Sequence, residues 1–177
     1  MNLKGLKSGE RTVLDHVFWA NGISRDALAS ASAFSKTRAN AAVAELLEQG
    51  LLEETGEQVP TGGRRAETLR LSRHLGVLIG VAVGATGLEV GVLSPDLTVL
   101  AHHSEPANVG DGPGPVLSRI RALMRELLAG CSVAPRQVIA IGIGVPGPVD
   151  FDSGQLVSPP LMPQWDGYSI RDDIAQD

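Results

Sequence analysis

The sequence predicts a winged helix-turn-helix followed by the first part of an α/β domain. Three observations lead there. Residues 23–52, ISRDALASASAFSKTRANAAVAELLEQGLL, contain two helix starts, each with a serine ahead of it. A turn-rich hairpin carrying Gly62-Gly63-Arg64-Arg65 comes next. After residue 75 the helical spacing of apolar residues gives way to short, nearly continuous apolar runs, the pattern of a buried sheet.

Ser8 or Gly9 opens a first helix to about Ala20. Val13, Leu14, Val17 and Phe18 form its apolar face and Trp19 packs at its edge; Asn21-Gly22 stops it. Ser24 sits at the N-cap of a second helix, where its hydroxyl accepts from an otherwise orphan backbone N–H. Ile23 packs beside that cap as a hydrophobic staple. Ser35 repeats the arrangement. The helix it heads runs to about Gln49, with Ala39, Ala42, Val43, Leu46 and Leu47 on one side. Lys36, Thr37, Arg38, Asn40 and Ala41 cluster at its start, largely off that stripe. Gly50 follows in the position a left-handed C-cap favours.

Leu51 to Glu54 then reads as a strand, Thr55 to Gly63 as a turn-rich stretch with Pro60, and Thr68 to Leu71 as a returning strand. This is a β-wing with Gly62, Gly63, Arg64 and Arg65 at or near its tip. Two glycines let the backbone approach a phosphate chain or a narrow groove, and two guanidiniums supply charge and fork-like donors.

A composition break at Ser72 to Gly76 separates residues 1–75, the winged helix-turn-helix, from residues 76–177. In the second part Val77 to Val83 and Leu88 to Leu93 pair across Gly84-Ala85-Thr86-Gly87, and Val99 to His103 adds a third strand. Glu105 to Pro115 reads as a Pro/Gly-rich loop. Val116 to Leu128 is an amphipathic helix with Ile120, Leu123, Leu127 and Leu128 inward. Val138 to Val145 is a further buried strand, ended by Pro146-Gly147-Pro148-Val149-Asp150, and Ser169 to Ile174 starts a helix. Strands, a crossover helix and another strand describe an α/β sheet, whose ligands bind at strand ends.

Composition bounds the function. The net charge of −5 argues against a generally basic nucleic-acid coat. The acidity is uneven: ten Lys/Arg stand against nine Asp/Glu through Leu75, and five against eleven after it. A near-neutral front with local basic spots suits a DNA reader, and an acidic rear suits ligand handling. The single Cys131 excludes an intramolecular disulfide and a cysteine-cluster metal site within these residues. No signal peptide is visible, and the longest apolar run is too short to span a bilayer, so a cytoplasmic location without membrane contact is expected. Three Phe, two Trp and one Tyr make a poor set of stacking platforms for single strands.

The major groove of duplex DNA admits one helix, read by the N-terminal turns of that helix. The expected base contacts are Arg38, bidentate to guanine, and Asn40, bidentate to adenine, with Thr37 beside them. Lys36 and Arg25 are expected on phosphate, together with the helix N-terminus at Ser35. The same pattern also fits an ordinary pair of packed helices, and Ser24 and Ser35 serve equally as plain caps. Asp150 and Asp166 have two readings each, a ligand contact or a turn cap. His102 and His103 are strand neighbours and point to opposite faces.

The order of winged helix, glycine-threonine hairpin, GIGVPGPVD and PPLMPQWDG resembles the ROK family (repressors, open reading frames, kinases), on the branch of the xylose and N-acetylglucosamine repressors. The strongest piece is residues 141–167, IGIGVPGPVDFDSGQLVSPPLMPQWDG. The likeness runs from about Val13, and GGRR in the wing is typical of the regulators. The resemblance implies an actin-like, sugar-kinase-like domain behind the DNA-binding head. It also implies a sequence-specific transcriptional regulator, a repressor responsive to a sugar or sugar-derived effector, that binds a palindromic double-stranded operator as a homodimer or higher homo-oligomer. In family kinases the first hairpin carries an aspartate, two glycines and a threonine that hold ATP phosphates and metal. Here the aspartate position holds Ala82 and the second glycine position Ala85, while Gly84 and Thr86 remain. Alanine cannot ligate Mg²⁺, so kinase activity is not expected. The family's sugar-site asparagine falls at Leu161, implying a less polar effector or none. Gly147, Asp150, Leu161 and Trp165 are the effector-site candidates. No cofactor is expected on these residues. The family's catalytic aspartate and structural zinc cluster, and about half of the effector domain, are expected beyond Asp177. The rival functions are a ROK sugar kinase with a DNA-binding head, and a winged helix used for protein interaction without DNA.

Overall fold

The computed structural model describes residues 5–20, 22–59 and 66–175. They group into two compact units, one within Met1–Gly76 together with the turn Ser94–Thr98, the other within Val77–Leu93 and Val99–Asp177.

In the first unit α1 (Ser8–Ala20), β1 (Ile23–Ser24), α2 (Arg25–Ala31), α3 (Lys36–Glu48), β2 (Leu52–Val59) and β3 (Ala66–Leu71) form a winged helix. Its sheet has the order β1-β3-β2, antiparallel throughout. Val13 and Val17 of α1, Leu28 of α2, Ala42, Val43 and Leu46 of α3 and Leu69 of β3 meet in one core. Each aliphatic side chain removed from water there contributes roughly 1.5–3 kcal/mol. Serine hydroxyls begin both inner helices: Ser24 accepts from the N–H of Ala27, and Ser35 from that of Arg38, each at 3.3 Å. Gly50, at φ +69°, ends α3. The N–H of Leu51 reaches the Leu46 carbonyl and that of Gly50 the Leu47 carbonyl. This is the Schellman arrangement that a left-handed glycine permits.

Two expectations are corrected here. Ile23 does more than staple a helix: with Ser24 it forms a short strand, pairing Ile23 with Leu69 and Ser24 with Thr68. Trp19 does not pack into the module. It is 80% exposed and meets Phe18 edge-on at 5.0 Å. It lies about 200° round the helix from Val17, off the buried stripe.

The second unit contains β4 (Val77–Val83), β5 (Gly87–Leu93), β6 (Val99–Pro106), α4 (Pro113–Gly130), β7 (Val138–Gly144) and α5 (Ile170–Ile174). The sheet order is β6-β5-β4-β7. The β4-β5-β6 meander is antiparallel, and α4 carries the chain across so that β7 lies parallel to β4. Alternate residues of β4 (Val77, Ile79, Val81, Val83) and of β5 (Leu88, Val90, Val92) are buried. They share a core with Leu117, Ile120, Leu123 and Leu128 of α4. Arg121 of α4 forms an ion pair with Asp173 of α5.

The expected loop from Glu105 to Pro115 is largely ordered structure. β6 runs to Pro106, a 3₁₀ turn spans Val109–Asp111, and α4 begins at Pro113. Proline suits the first helical turn because its missing N–H would have no partner there. The expected buried strand at Val138–Val145 is also corrected: no residue of β7 is fully buried. Among the described residues β7 pairs with β4 alone.

Candidate nucleic-acid interface

α3 divides cleanly. Ala39, Ala42, Val43 and Leu46 face the core, while Lys36, Thr37, Arg38 and Asn40 are all exposed on its first turns. Ala41 and Ala44 continue that outer surface with only methyl groups, which leaves no bulk to hold a groove away. Ser35 caps one first-turn N–H, that of Arg38, and the helix dipole adds partial positive charge at the same end.

The three basic side chains here have different partners. Lys36 Nζ lies 2.8 Å from Asp26 Oδ1, with both side chains three-quarters exposed. Arg25 donates to Glu54 Oε1 of β2 from Nε at 3.2 Å and from Nη2 at 2.5 Å. Exposed pairs of this kind contribute about 0–1 kcal/mol, so a phosphate can compete for either cation. The Arg38 guanidinium instead lies over the Phe34 ring, 4.0 Å from its centroid. Beside it, Lys7 bridges Glu45 and Glu10 at 3.3 and 3.5 Å. The bond to Glu45 is the first cause of the raised Lys7 pKa.

The structure therefore brings Ser35, Lys36, Thr37, Arg38 and Asn40 onto one exposed helix start, with Arg25 on the adjoining α2. Gly62, Gly63, Arg64 and Arg65 lie outside the described residues. Asp26, Glu54 and Phe34 were not singled out from the sequence. Phe34 had one visible signal, its position four residues before Arg38; the two carboxylates had none, because their partners are set by packing.

In the second unit the effector-site candidates do not line one cavity. Gly147 packs against Pro159: a Cβ at Gly147 would sit 2.7 Å from the Pro159 Cβ. Asp150 is exposed and its Oδ1 accepts from the N–H groups of Asp152 and Ser153, both at 2.9 Å. Those bonds, Ser153 first, hold its pKa below the ordinary carboxylate value. Leu161 is 57% exposed. Trp165 requires a correction, because it is wholly buried and its indole N–H donates to the Val109 carbonyl at 2.9 Å. It is part of the core, not the wall of a pocket. An apolar cleft of about 530 Å³ lies elsewhere, along Ile141, Ile143, Val145, Phe151 and Arg171. In the β4–β5 hairpin, Gly84 N–H donates to the Gly87 carbonyl at 2.8 Å. Ala82 is exposed opposite Glu89, whose carboxylate lies 3.6 Å from His102 on β6. His103 turns to the other face and bonds Glu105 at 2.8 Å.

No family model matches the chain. Individual proteins do. The xylose repressor of Caldicellulosiruptor bescii is 24% identical over 166 residues, 94% of this chain and 40% of that protein. The DNA-binding transcriptional dual regulator NagC of Escherichia coli K12 is 28% identical over 134 residues, 76% of this chain and 33% of NagC. The crystal structure of a ROK family transcriptional regulator, a homolog of the E. coli MLC protein, covers 94% of this chain with a TM-score of 0.59 at 18% identity. The chain is thus similar to ROK-family regulators along most of its length. The structural likeness shows the fold, a winged helix-turn-helix with a sugar-kinase-like α/β unit. The chain spans well under half the length of the relatives it matches, 33–43% of those three. Among its described residues no helix is long and apolar enough to cross a membrane.

Proposed function

We propose that this chain is the DNA-binding head and the first part of the effector domain of a sugar-responsive transcriptional repressor. The observation that carries the reading is the exposed start of α3, where Lys36, Thr37, Arg38 and Asn40 stand clear of the core on a capped helix. Arg38 and Asn40 have the donor sets for guanine and adenine edges, and Lys36 and Arg25 supply phosphate contacts. Arg64 and Arg65 of the wing would add phosphate or minor-groove contacts. The name of the xylose repressor supports regulation by a sugar, and NagC's description as a DNA-binding transcriptional regulator supports the reading head. The operator is a palindrome read by a homodimer, and the effector acts as a coupling free energy between the rear site and the two heads. Residues 1–75 are the reading head and residues 76–177 belong to the effector domain.

Phosphoryl transfer is not part of this reading. Such chemistry needs a carboxylate to hold the metal that neutralises the phosphates, and the hairpin position that would carry it holds Ala82.

The test is selection from a random duplex library by the full-length protein at fixed salt, with and without candidate sugars. Enrichment of an inverted repeat, relaxed by one sugar, is the expected result. Failure to enrich any sequence, with Arg38→Ala binding like the wild type, defeats the proposal.

A further inference from the structure

We infer that Phe34 is a positioning residue for base reading: its ring holds the Arg38 guanidinium flat and leaves the N–H edge for the acceptor pair of a guanine. The inference rests on the DNA-binding reading above and goes beyond it by naming the side chain that sets the geometry of the reading group.

Three observations converge. The guanidinium carbon of Arg38 lies over the Phe34 ring, 4.0 Å from its centroid, a cation–π contact. All five guanidinium donors lie in its plane, so stacking consumes none of them. Among the described residues the guanidinium makes no hydrogen bond or ion pair, whereas Lys36 and Arg25 are each paired with a carboxylate. Glu10 and Glu45, which line the same surface hollow as Arg38, are both engaged by Lys7. Finally, α1 leaves room for the stack. A side chain at Gly9 would begin 3.8 Å from Arg38 Nη2 and 3.9 Å from both Arg38 Nε and Phe34 Cε2. The guanidinium thus has the ring on one side and a wall without a side chain beside it.

An arginine on a free stem must be immobilised before it can make two parallel bonds to O6 and N7. One already held against a ring has lost much of that freedom. The stack therefore acts on discrimination between base pairs more than on general affinity, which comes from phosphate contacts.

The experiment uses the full chain and the site enriched by the wild type. Arg38→Ala first locates the base pair that Arg38 reads, where discrimination should fall about fivefold or more. Phe34→Leu should lower discrimination at that same pair by about two- to fivefold and leave the other positions unchanged. Phe34→Tyr, which keeps the ring, should restore it. In the Arg38→Ala background Phe34→Leu should change nothing further. Phe34→Met, closer in volume, repeats the measurement if Phe34→Leu does not fold.

Unmoved preferences in a folded Phe34→Leu protein overturn this inference and leave the DNA-binding reading standing. A uniform loss at every position, or loss of folding in both ring-free variants by circular dichroism, assigns Phe34 to the module's packing and also overturns it. If the wild type enriches no site, both readings fail together.

Discussion

The indole N–H of Trp165 donates to the carbonyl oxygen of Val109 at 2.9 Å, with the Trp165 ring entirely out of solvent. The bond ties the PQW turn to the turn ahead of α4. Trp165→Phe keeps an aromatic ring but leaves the Val109 carbonyl unpaired, and should destabilise the second unit by about 1–3 kcal/mol. Trp165→Ala adds a cavity and should destabilise by about 3–5 kcal/mol. Denaturant midpoints of the two variants check this. Equal midpoints for wild type and Trp165→Phe would show that the bond contributes nothing.

Ser35 caps α3, the helix that carries the proposed reading residues. Ser35→Ala removes the acceptor for the Arg38 N–H and should lower stability by about 0.5–2 kcal/mol, with Ser35→Asp close to wild type. Thermal unfolding of the first unit is the measurement. An alanine variant as stable as the aspartate one would rule out a capping role.

Gly22 stands at φ +117°, and a Cβ there would lie 2.9 Å from the Thr68 methyl. Gly22→Ala should cost about 1–3 kcal/mol from backbone strain, with a steric share on top. Thr68→Ser removes that methyl, so the double variant should recover only the steric share. Full recovery on adding Thr68→Ser would refute the strain component.

Acid sensitivity of the second unit should depend on Glu105. Two bonds from Arg119, at 2.8 and 2.7 Å, and then one to His103 hold its pKa at about 2, down from 4.5. A carboxylate with a lowered folded value adds stability above its unfolded value, and that stability fades as pH falls toward the folded one. The window is therefore pH 4.5 down to about 2. Glu105→Gln should flatten the stability profile across that range. In Arg119→Gln the Glu105 carboxyl, followed by NMR, should titrate nearer 4.5. An unshifted titration in that variant would contradict the cause.

Lys36 and Arg38 should separate by salt. Lys36→Ala is expected to weaken binding evenly across sequences and lower the salt slope by about 1, because it removes the proposed phosphate contact. Arg38→Ala should instead relax one base pair. Binding isotherms at several salt concentrations on two operator variants distinguish them, and a sequence-dependent effect of Lys36→Ala would be the contrary result.

Much of the helix-turn-helix was legible because its signals are local. Ser24, Ser35 and Gly50 satisfy backbone groups within a few residues of themselves, so their chemistry marks helix ends directly. The β4–β5 hairpin was legible for the same reason. What stayed hidden depends on partners far along the chain. β1 exists only because Leu69 and Thr68 lie beside Ile23 and Ser24. Trp165 is core only because Val109 receives its N–H. The low burial of β7 goes with its pairing, among the described residues, with β4 alone, which an apolar run does not reveal. In the first unit, exposure followed from helical period, but the contact of Arg38 with Phe34 and the pairing of Lys36 with Asp26 are settled by tertiary placement.

Ser24 has two jobs at once: its backbone is laced to Thr68 on the wing's return strand, and its hydroxyl starts α2. With Ile23, which pairs with Leu69, it ties β3 to the first turn of α2. A displacement of β3 would therefore reach the root of α2 through adjacent residues, with no loop between them.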